Sequence, residues 1–370
     1  MRTCSAILFD DAEAGPQLSL VDVRDPRGDE VLVRMEASGL CHSDYHVVKG
    51  EWPFDYRIVL GHEGAGIVEA VGERVSDLQI GQRVIVNWYA SCGQCRACAE
   101  ARPYLCSSTK ANENLLPDGS TPVTHADGLE VRPILGVGTH AEYAVLTRRA
   151  VVPVSDRVPA GVAAIIGCAV TTGVGAVLNT ANVRPGQSAV VVGTGGVGQS
   201  IVLALAMAGA SPIIAVDLSE ERREAARELG ATHALAGDDP DLQQKIAEIS
   251  GEGGADFAFD AIGHPSVTER LPEYVRNGGA VVLVGMPARE ATVAFKTWYL
   301  VATNKRILGS NYGSSNPSVD FPAIADLYLA GRLPLDKLLG DAIPLGEYPE
   351  RMAAFGASTG LKQVVDYTLR

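Results

Sequence analysis

The sequence predicts an α/β protein in which a β-rich domain accompanies a doubly wound parallel sheet. Its 370 residues suffice for roughly two to three domains. Up to about residue 153, short apolar runs at 31–33, 66–68 and 83–86 are separated by glycines and charged turns, as in antiparallel sheets. After residue 183, compact apolar strands alternate with helical segments. This alternation is typical of a parallel sheet covered by helices.

The second half of the chain presents its strands and helices in a regular order. Strands are predicted at 188–192, 213–216, 256–260 and 280–284, and helices at 197–208, 220–229 and about 267–275. From about residue 311 the pattern becomes mixed again, so we expect the tail to rejoin the β-rich domain. The predicted domains are therefore 1–169 together with 311–370, and 170–310 between them.

Composition and charge narrow the classes of partner. Hydrophobic residues make up 46% of the chain and charged residues 20%, which is globular composition. The formal net charge is −13 and no basic block is present, so binding to nucleic acid or anionic lipid lacks its usual electrostatic drive. A small-molecule ligand is therefore expected.

Two apolar segments could be mistaken for targeting or membrane signals. The N-terminal segment becomes acidic at Asp10 and Asp11, too early for the apolar core of a signal peptide, so we expect a cytoplasmic protein. The uncharged stretch 158–183 contains Pro159 and several glycine, threonine and asparagine residues. Such a composition is poor for a lipid-facing helix, and we expect no membrane span.

A glycine-rich motif, Gly-x-Gly-x-x-Gly, occupies residues 193–198, directly after a predicted strand and at the start of a predicted helix. In this context Gly193 permits a tight turn, Gly195 lets the backbone approach a pyrophosphate, and Gly198 allows close packing of helix and strand. Asp217 ends the next strand and can accept hydrogen bonds from an adenosine ribose, which favours NAD over NADP. The alternative is a glycine-rich turn without a ligand.

Four of the seven cysteines lie in one short segment with two residues between the first three. In a cytoplasmic protein this density indicates a metal rather than disulfides. Four thiolates complete a tetrahedral zinc shell with no open position, so the site is expected to be structural. The alternative is a set of reduced surface thiols. The predicted ligands, within a lobe of about 92–106, are Cys92, Cys95, Cys98 and Cys106.

Cys41, His62 and Cys168 form a second candidate metal set, although they lie far apart in the sequence. Two thiolates and one imidazole leave the fourth position of zinc open, which is the pattern of a catalytic site. Spacing alone does not decide this case, because buried cysteine is also a common small hydrophobe and a lone histidine is often structural. Cys4 is most simply a strand residue.

Taken together, these motifs resemble the zinc-dependent medium-chain alcohol dehydrogenases over essentially the whole chain. The family pattern is present at 39–44, 61–66, the four-cysteine lobe, 167–168 and the glycine motif. The resemblance implies a GroES-like catalytic domain, a Rossmann domain that binds NAD, and two zinc ions per subunit, one catalytic and one structural.

The same resemblance assigns roles around the catalytic zinc. It implies that Cys41, His62 and Cys168 hold the metal, that Glu63 is an occasional alternative ligand, and that Asp44 orients His62 through its other ring nitrogen.

The family pattern further implies how proton and hydride leave the substrate. Ser43 matches the hydroxyl that hydrogen-bonds the zinc-bound substrate oxygen, and His46 matches the outer end of a proton relay. The implied reaction is hydride transfer from a zinc-bound alkoxide to the nicotinamide.

Further positions match cofactor or substrate contacts of the family. Thr172 is expected beside the nicotinamide, Arg222 beside the adenosine ribose, and the backbone of Val284 and Met286 at the carboxamide. His42 and Lys362 stand where many members have arginine near the pyrophosphate, and Trp88 falls where the family lines its substrate pocket. The remaining predicted cofactor contacts lie inside the glycine motif, at Gly196 and Val197.

The expected function is NAD-linked interconversion of a primary alcohol and its aldehyde, with aryl and medium-chain alcohols as the candidate classes. Segments around Trp88, the cysteine lobe and 328–335 resemble an actinobacterial branch that includes mycothiol-dependent formaldehyde dehydrogenases. Oxidation of a thiol–formaldehyde adduct is therefore the alternative. A noncatalytic zinc- and NAD-binding redox sensor is a third reading, which the presence of Ser43 and His46 disfavours. The long segment 107–139 resembles that of dimeric members, so a homodimer is expected.

Overall fold

The protein is described by a computed structural model that covers residues 1–251, 253–357 and 361–369. The chain divides into two compact units. One consists of Met1–Cys168 with the C-terminal segment that begins at Asn316, and the other of Ala169–Ser315. The first unit is rich in antiparallel strands and the second is a parallel α/β unit, so the predicted fold class is confirmed.

The described chain contains β-strands and α-helices that are numbered in chain order. The strands are β1 Arg2–Phe9, β2 Pro16–Val23, β3 Glu30–Gly39, β4 Ile58–Val59, β5 Glu63–Val71, β6 Arg83–Val86, β7 Val123–His125, β8 Glu130–Pro133, β9 Tyr143–Thr147, β10 Val151–Pro153, β11 Ala189–Val192, β12 Ile213–Asp217, β13 His233–Ala236, β14 Ala255–Asp260, β15 Val275–Leu283, β16 Arg306–Gly309, β17 Leu339–Ile343 and β18 Lys362–Asp366. The α-helices are α1 His42–Val48, α2 Arg96–Ala99, α3 Ala160–Ile165, α4 Thr171–Gly175, α5 Gly196–Ala208, α6 Glu220–Glu228, α7 Leu242–Ser250, α8 Pro265–Thr268, α9 Thr297–Thr303, α10 Pro317–Leu329 and α11 Tyr348–Ala354.

The β-rich unit contains a closed barrel and a larger sheet. The barrel has the strand order β1-β2-β7-β8-β4, and the sheet has the order β10-β6-β5-β3-β18-β17 with β9 also paired to β3. Strand β18 pairs antiparallel with β3, with Val364 opposite Gly39. The C-terminal strand therefore lies beside the strand that leads into α1.

Apolar side chains that alternate along these strands form the core of the β-rich unit. Val31, Val33 and Met35 of β3 are buried together with Val84 and Val86 of β6. Alternation places Leu32 on the opposite face of β3, where it packs in a second apolar cluster with residues of β1 and β2, so both faces of this strand are buried.

The other unit is built on a six-stranded parallel sheet with the order β13-β12-β11-β14-β15-β16. Its register places Val192 of β11 opposite Val216 of β12 and Asp260 of β14. The carboxyl ends of these strands therefore lie at one edge of the sheet, where doubly wound folds bind their ligands. Helix α6 begins after Ser219, whose hydroxyl accepts the N–H of Arg222 at 3.3 Å.

The helix predicted at about 267–275 is wrong in extent. The structure has the short helix α8, a 3₁₀ turn at Leu271–Glu273, and the strand β15 from Val275 onward. Pro272 cannot donate a helical hydrogen bond, so it ends the periodic pattern, and the buried β-branched residue Val275 begins the strand.

Within the described residues, one helix, Ala160–Ala181, is long and apolar enough to cross a membrane, with a mean hydropathy of 2.0. Its apolar window is 89% buried inside the protein, which is typical of a core helix. The helix contains two π-helical segments, Ile166–Val170 and Ala176–Ala181. Such segments are frequent at functional sites, and the first of them carries Cys168.

Candidate active site

Four potential metal ligands meet in the β-rich unit. One ligand atom from each of Cys41, His62, Glu63 and Cys168 lies within 4.8 Å of the others, and all four residues are buried. Cys41 directly precedes α1, His62 and Glu63 stand at the start of β5, and Cys168 comes from the π-helical turn. The fold therefore brings together the candidate ligands whose role their spacing in the sequence left undecided.

Asp44 lies behind His62 and is fully buried. Its Oδ1 accepts the backbone N–H of Gly61 at 2.9 Å, and its Oδ2 lies 3.3 Å from Nδ1 of His62. Burial lowers the pKa of His62, but the negative charges of Asp44 and Cys41 raise it by more, so the pKa lies well above its usual value. With Nδ1 directed at Asp44, Nε2 is the atom that a metal would use.

The pKa values of the two thiols in the cluster are shifted in opposite directions. The contact with Cys168 lowers the pKa of Cys41, and the positive charges of His62 and Lys362 lower it further, although burial opposes them. The same contact, together with burial, raises the pKa of Cys168. Without a metal, the pair therefore favours sharing one proton between two sulfur atoms. Binding of a divalent cation would release that proton.

These residues fit zinc. Among the described residues, both ring nitrogens of His62 are buried without a hydrogen-bond partner, and since Nδ1 faces Oδ2 of Asp44 at 3.3 Å, Nε2 is the nitrogen available to a metal. Two cysteine sulfur atoms and one imidazole nitrogen are a donor set that zinc prefers, and three protein ligands leave one position for substrate.

Lys362, for which a pyrophosphate contact is predicted, lies beside the metal ligands. Its Nζ lies 2.9 Å from Oε1 of Glu63 and donates to the carbonyl of Leu40 at 2.8 Å, and its side chain is only 7% exposed. Burial raises the pKa of Glu63 to about 8 against the opposing effect of Lys362. Burial lowers the pKa of Lys362 less than Glu63 and Cys41 raise it. In this arrangement Lys362 balances the charge of Glu63 beside the metal ligands, and its contact with a pyrophosphate stays a prediction.

Ser43 and Trp88 border the cluster. The hydroxyl oxygen of Ser43 lies 3.8 Å from the sulfur of Cys41. The ring of Trp88 meets His62 edge-on, with ring centroids 6.4 Å apart and an interplanar angle of 85°. One polar hydroxyl and one large aromatic ring therefore lie next to the candidate ligands.

His46, the predicted end of a proton relay, is surrounded by groups that sequence reasoning missed. Its Nδ1 pairs with a carboxylate oxygen of Glu51, and its ring stacks on Trp52 at 4.8 Å with an interplanar angle of 20°. The ring of His42 meets His46 edge-on at 5.1 Å, and His42 itself is exposed at the start of α1. The signal available in the sequence was Gly50, which ends the helix and turns the chain back.

A second buried polar pair, also missed, lies behind the site. The rings of His140 and Tyr348 are 4.4 Å apart, and both side chains are buried. Burial lowers the pKa of His140 to about 4 and raises that of Tyr348 well above its usual value. Both groups are therefore neutral near pH 7 and add no charge to the site. Neither stands in a recognisable motif.

The four cysteines of the predicted structural lobe also come together, again within 4.8 Å of one another. The sulfur of Cys95 lies 3.5 Å from that of Cys98 and 3.9 Å from that of Cys106. A tetrahedron with Zn–S bonds of about 2.3 Å has sulfur–sulfur edges of roughly 3.8 Å, so the spacing fits zinc. None of the seven cysteines forms a disulfide.

Backbone N–H groups prepare this lobe for metal. The N–H of Cys92 points to the sulfur of Cys106 at 3.2 Å, and that of Cys95 to the sulfur of Cys92 at 3.4 Å. Such contacts from Gln94 and Cys95 lower the pKa of Cys92 to about 6, whereas burial raises the pKa of Cys106 to about 11. Thiolate character is thus already present at one ligand.

In the parallel unit, the glycine motif has the geometry of a dinucleotide-binding turn. Gly193 has φ +87°, and a Cβ at Gly198 would lie 1.8 Å from the carbonyl oxygen of Gly193. A Cβ at Gly195, the residue that caps α5, would meet nothing within 4 Å. The helix N-terminus is thus open to an anionic group at Gly195, which fits a pyrophosphate.

Asp217 stands at the end of β12 and contacts the glycine motif. Its Oδ2 accepts the backbone N–H of Thr194 at 2.7 Å, and its Oδ1 accepts that of Ser219 at 2.9 Å. Arg222 lies 4.0 Å from Oδ2. Each carboxylate oxygen can accept more than one hydrogen bond, so Asp217 retains capacity for a ribose hydroxyl.

The other predicted cofactor residues of this unit lie near the same sheet edge or in the helical segment that precedes it. Thr172 belongs to α4 and is 9% exposed, whereas Met286 is 53% exposed. The N–H of Val284 donates to the carbonyl of Asp260 at 3.0 Å, so of its two backbone groups only the carbonyl can serve a carboxamide. Gly196 and Val197 form the first turn of α5.

Family models match most of the chain. Residues 27–156 match the alcohol dehydrogenase GroES-like domain, and residues 196–330 match the zinc-binding dehydrogenase domain. The first match contains Cys41, His62 and the four-cysteine lobe, and the second begins inside the glycine motif.

Known relatives are similar over nearly their full length. The chain is 36% identical to the NDMA-dependent alcohol dehydrogenase of Amycolatopsis methanolica over 95% of each chain. It is 32% identical to the S-(hydroxymethyl)glutathione dehydrogenase of Paracoccus denitrificans, over 99% of this chain and 100% of the relative. Among solved structures, it resembles the benzyl alcohol dehydrogenase of Acinetobacter calcoaceticus with a TM-score of 0.91 and 33% identity over 99% of each chain.

Proposed function

Because the chain belongs to the zinc-dependent medium-chain alcohol dehydrogenase family, we propose that it is an NAD-linked enzyme interconverting a primary alcohol, aryl or medium-chain, and its aldehyde. The observation that carries the proposal is the buried set Cys41, His62 and Cys168, bordered by the Ser43 hydroxyl and the Trp88 ring. This set combines a metal site that has an open position with a polar and an apolar substrate contact.

The residues of the chain divide the work of the proposed reaction. Zinc held by Cys41, His62 and Cys168 would supply Lewis-acid polarisation of the alcohol oxygen. Ser43 positions the substrate hydroxyl and accepts its proton, and His46 carries that proton outward. Asp44 keeps Nδ1 of His62 engaged so that Nε2 faces the metal.

NAD is the proposed hydride acceptor. Asp217 stands beside the glycine motif, where its carboxylate would bond ribose hydroxyls and repel the extra phosphate of NADP. The contact of its Oδ2 with the Thr194 N–H holds the carboxylate in place. We therefore expect turnover with NAD to exceed turnover with NADP by at least about tenfold, equivalent to about 1.4 kcal/mol.

Trp88 supports an apolar alcohol as substrate. Its indole presents a large aromatic surface beside His62, and aromatic surfaces favour apolar and aryl groups through burial and ring contacts. The likeness to a benzyl alcohol dehydrogenase over the full chain agrees with this choice. The proposal also includes two zinc ions per subunit, a cytoplasmic homodimer, and no membrane or nucleic-acid partner.

A thiol-dependent formaldehyde dehydrogenase is the second candidate, since one full-length relative is named S-(hydroxymethyl)glutathione dehydrogenase. Such an enzyme must bind the carboxylates of a low-molecular-weight thiol. In the β-rich unit the one cationic side chain described in contact with the ligand cluster, Lys362, is already paired with Glu63. This pairing favours the plain alcohol. A redox sensor would not require Ser43 or the His46 group.

Substrate class is tested by NADH formation with zinc-loaded protein. We expect benzyl alcohol and 1-hexanol to reduce NAD without any thiol, and formaldehyde with glutathione or mycothiol to react at least about tenfold more slowly in kcat/KM, since apolar contacts are lost. NADP in place of NAD is the cofactor control. Turnover restricted to formaldehyde plus thiol would support the second candidate, and a protein that binds NAD and zinc but turns over none of these substrates would contradict the catalytic assignment.

A further inference from the structure

The turn that follows α1 has a specific geometry. Gly50 adopts φ +72°, its N–H donates to the carbonyl of Val47 at 2.9 Å, and the N–H of Glu51 donates to the carbonyl of His46 at 2.9 Å. This pair of bonds defines a Schellman motif, in which the second residue past the helix end folds back onto the third-last helical position. Here those two residues are Glu51 and His46.

The side chains of this motif are unusual. A hydrophobic contact commonly accompanies a Schellman turn at these two positions, whereas here a carboxylate of Glu51 pairs with Nδ1 of His46. Trp52 continues the turn: its N–H also donates to the carbonyl of His46 at 3.3 Å, and its indole stacks on the imidazole. The imidazole is therefore held by one polar and one aromatic contact, both set by the backbone turn.

Exposure differs along the pair. The side chain of His46 is 13% exposed and that of Glu51 is 46% exposed. Besides Glu51, the nearby ring of His42 is the titratable group described in contact with His46. The carboxylate thus connects a largely buried ring with solvent.

We propose that Glu51 is a positioning residue that fixes His46 as a proton acceptor and opens its path to solvent. An ionised carboxylate can only accept a hydrogen bond, so Nδ1 of His46 must carry the hydrogen and Nε2 keeps its lone pair. The proton that leaves the alcohol, passed on by the Ser43 hydroxyl, forms a bond with Nε2, and the imidazolium gives its Nδ1 proton by way of the Glu51 carboxylate to water. Proton exchange with water then moves the remaining hydrogen from Nε2 to Nδ1, which restores the starting tautomer. No electron transfer is involved in this step.

This inference rests on the proposed function, because it assigns His46 a proton to carry. Two variants separate the roles of the carboxylate. Glu51→Leu restores the usual apolar contact of the turn and removes the acceptor, whereas Glu51→Gln keeps an acceptor without charge. Glu113→Gln is the matched control, because Glu113 is another exposed carboxylate of the same unit, paired with Lys110.

With Glu51→Leu we expect kcat for alcohol oxidation to fall about tenfold with KM unchanged, a part of the roughly 10²–10⁴-fold that a positioned proton carrier contributes. The kcat of Glu51→Gln should fall by less, and that of Glu113→Gln should not change. In a His46→Gln background, Glu51→Leu should cost nothing further, because Glu51 acts through the imidazole. Wild-type kcat in Glu51→Leu, or an equal loss in both backgrounds, would overturn the proposal.

An NMR measurement, which needs no enzymatic turnover, tests the contact between His46 and Glu51 independently of the proposed function. The ¹⁵N shifts of His46, assigned by their absence in His46→Gln, should show hydrogen on Nδ1 in the wild type and a shifted tautomer balance in Glu51→Leu. An unchanged tautomer in Glu51→Leu would refute the positioning role even if the enzyme is active. The expected tautomer change in a protein that oxidises no alcohol would uphold the pair and refute only the proposed function.

Discussion

Cys168→Ala should abolish alcohol oxidation while leaving the fold intact. Removing one of three ligands from the site formed by Cys41, His62 and Cys168 destroys the position at which the alcohol oxygen would be polarised, an effect of several kcal/mol in the transition state. We expect kcat/KM to fall at least about 10³-fold, or roughly 4 kcal/mol. Metal analysis should show one zinc equivalent lost and one retained, the latter in the four-cysteine lobe.

Cys4→Ala is the matched control for this variant. Cys4 is another buried thiol of the same unit, on β1 and outside both ligand clusters, with its pKa raised to about 11 by burial. It should keep both zinc equivalents and full turnover. Full activity in Cys168→Ala, or loss of both zinc equivalents there, would contradict the assignment of separate catalytic and structural sites.

Cys95→Ser should have the opposite signature, a large loss of stability with the catalytic site still formed. The sulfur of Cys95 lies within 3.9 Å of two other sulfur atoms in the lobe, so its replacement opens the zinc shell. Losing roughly 3 kcal/mol of metal-linked stability would lower Tm by about 6–12 °C, since each kcal/mol shifts Tm by about 2–4 °C in a domain of this size.

Turnover of Cys95→Ser measured at low temperature should remain within about threefold of the wild type and should be lost on mild heating, because the lobe supplies stability and not substrate contacts. A thermal scan beside a zinc assay is sufficient to check this. Wild-type zinc content, or a Tm equal to that of Cys4→Ala, would show that the lobe is not a structural zinc site.

The two motif-rich regions could be predicted from local sequence. The glycine motif and the cysteine lobe are contiguous, so the residues that act together are neighbours in the chain, and Gly198 and Cys95 lie where their spacing indicates. Strands β11, β12 and β14 are short apolar runs bounded by turn residues, and they are buried almost throughout. Such runs can be predicted without long-range information, whereas β13 is largely half-exposed and the sequence does not predict it.

Features that depend on long-range contact could not be predicted in this way. The barrel strands β4, β7 and β8 are two to four residues long and gain their identity from pairing partners elsewhere in the chain. Lys362 meets Glu63 because β18 pairs with β3, a juxtaposition no local pattern reveals.

The contacts of His46 with Glu51 and Trp52 are an intermediate case. Gly50 seven residues after Ser43 is a local signal for a helix end, so the sequence contains the information that Glu51 folds back on His46. Predicting this contact depends on the exact ends of α1, because a shift of one residue in that boundary pairs a different side chain with the imidazole.

Transfer of deuterium tests the central claim most directly. The zinc-loaded protein is incubated with NAD and benzyl alcohol that carries deuterium at both positions of the alcohol carbon, and the reduced cofactor is examined by mass spectrometry. The account predicts reduced NAD containing one deuterium, formed without any thiol and absent in Cys168→Ala. Reduced cofactor without deuterium, or none at all while formaldehyde with thiol reacts, would contradict it.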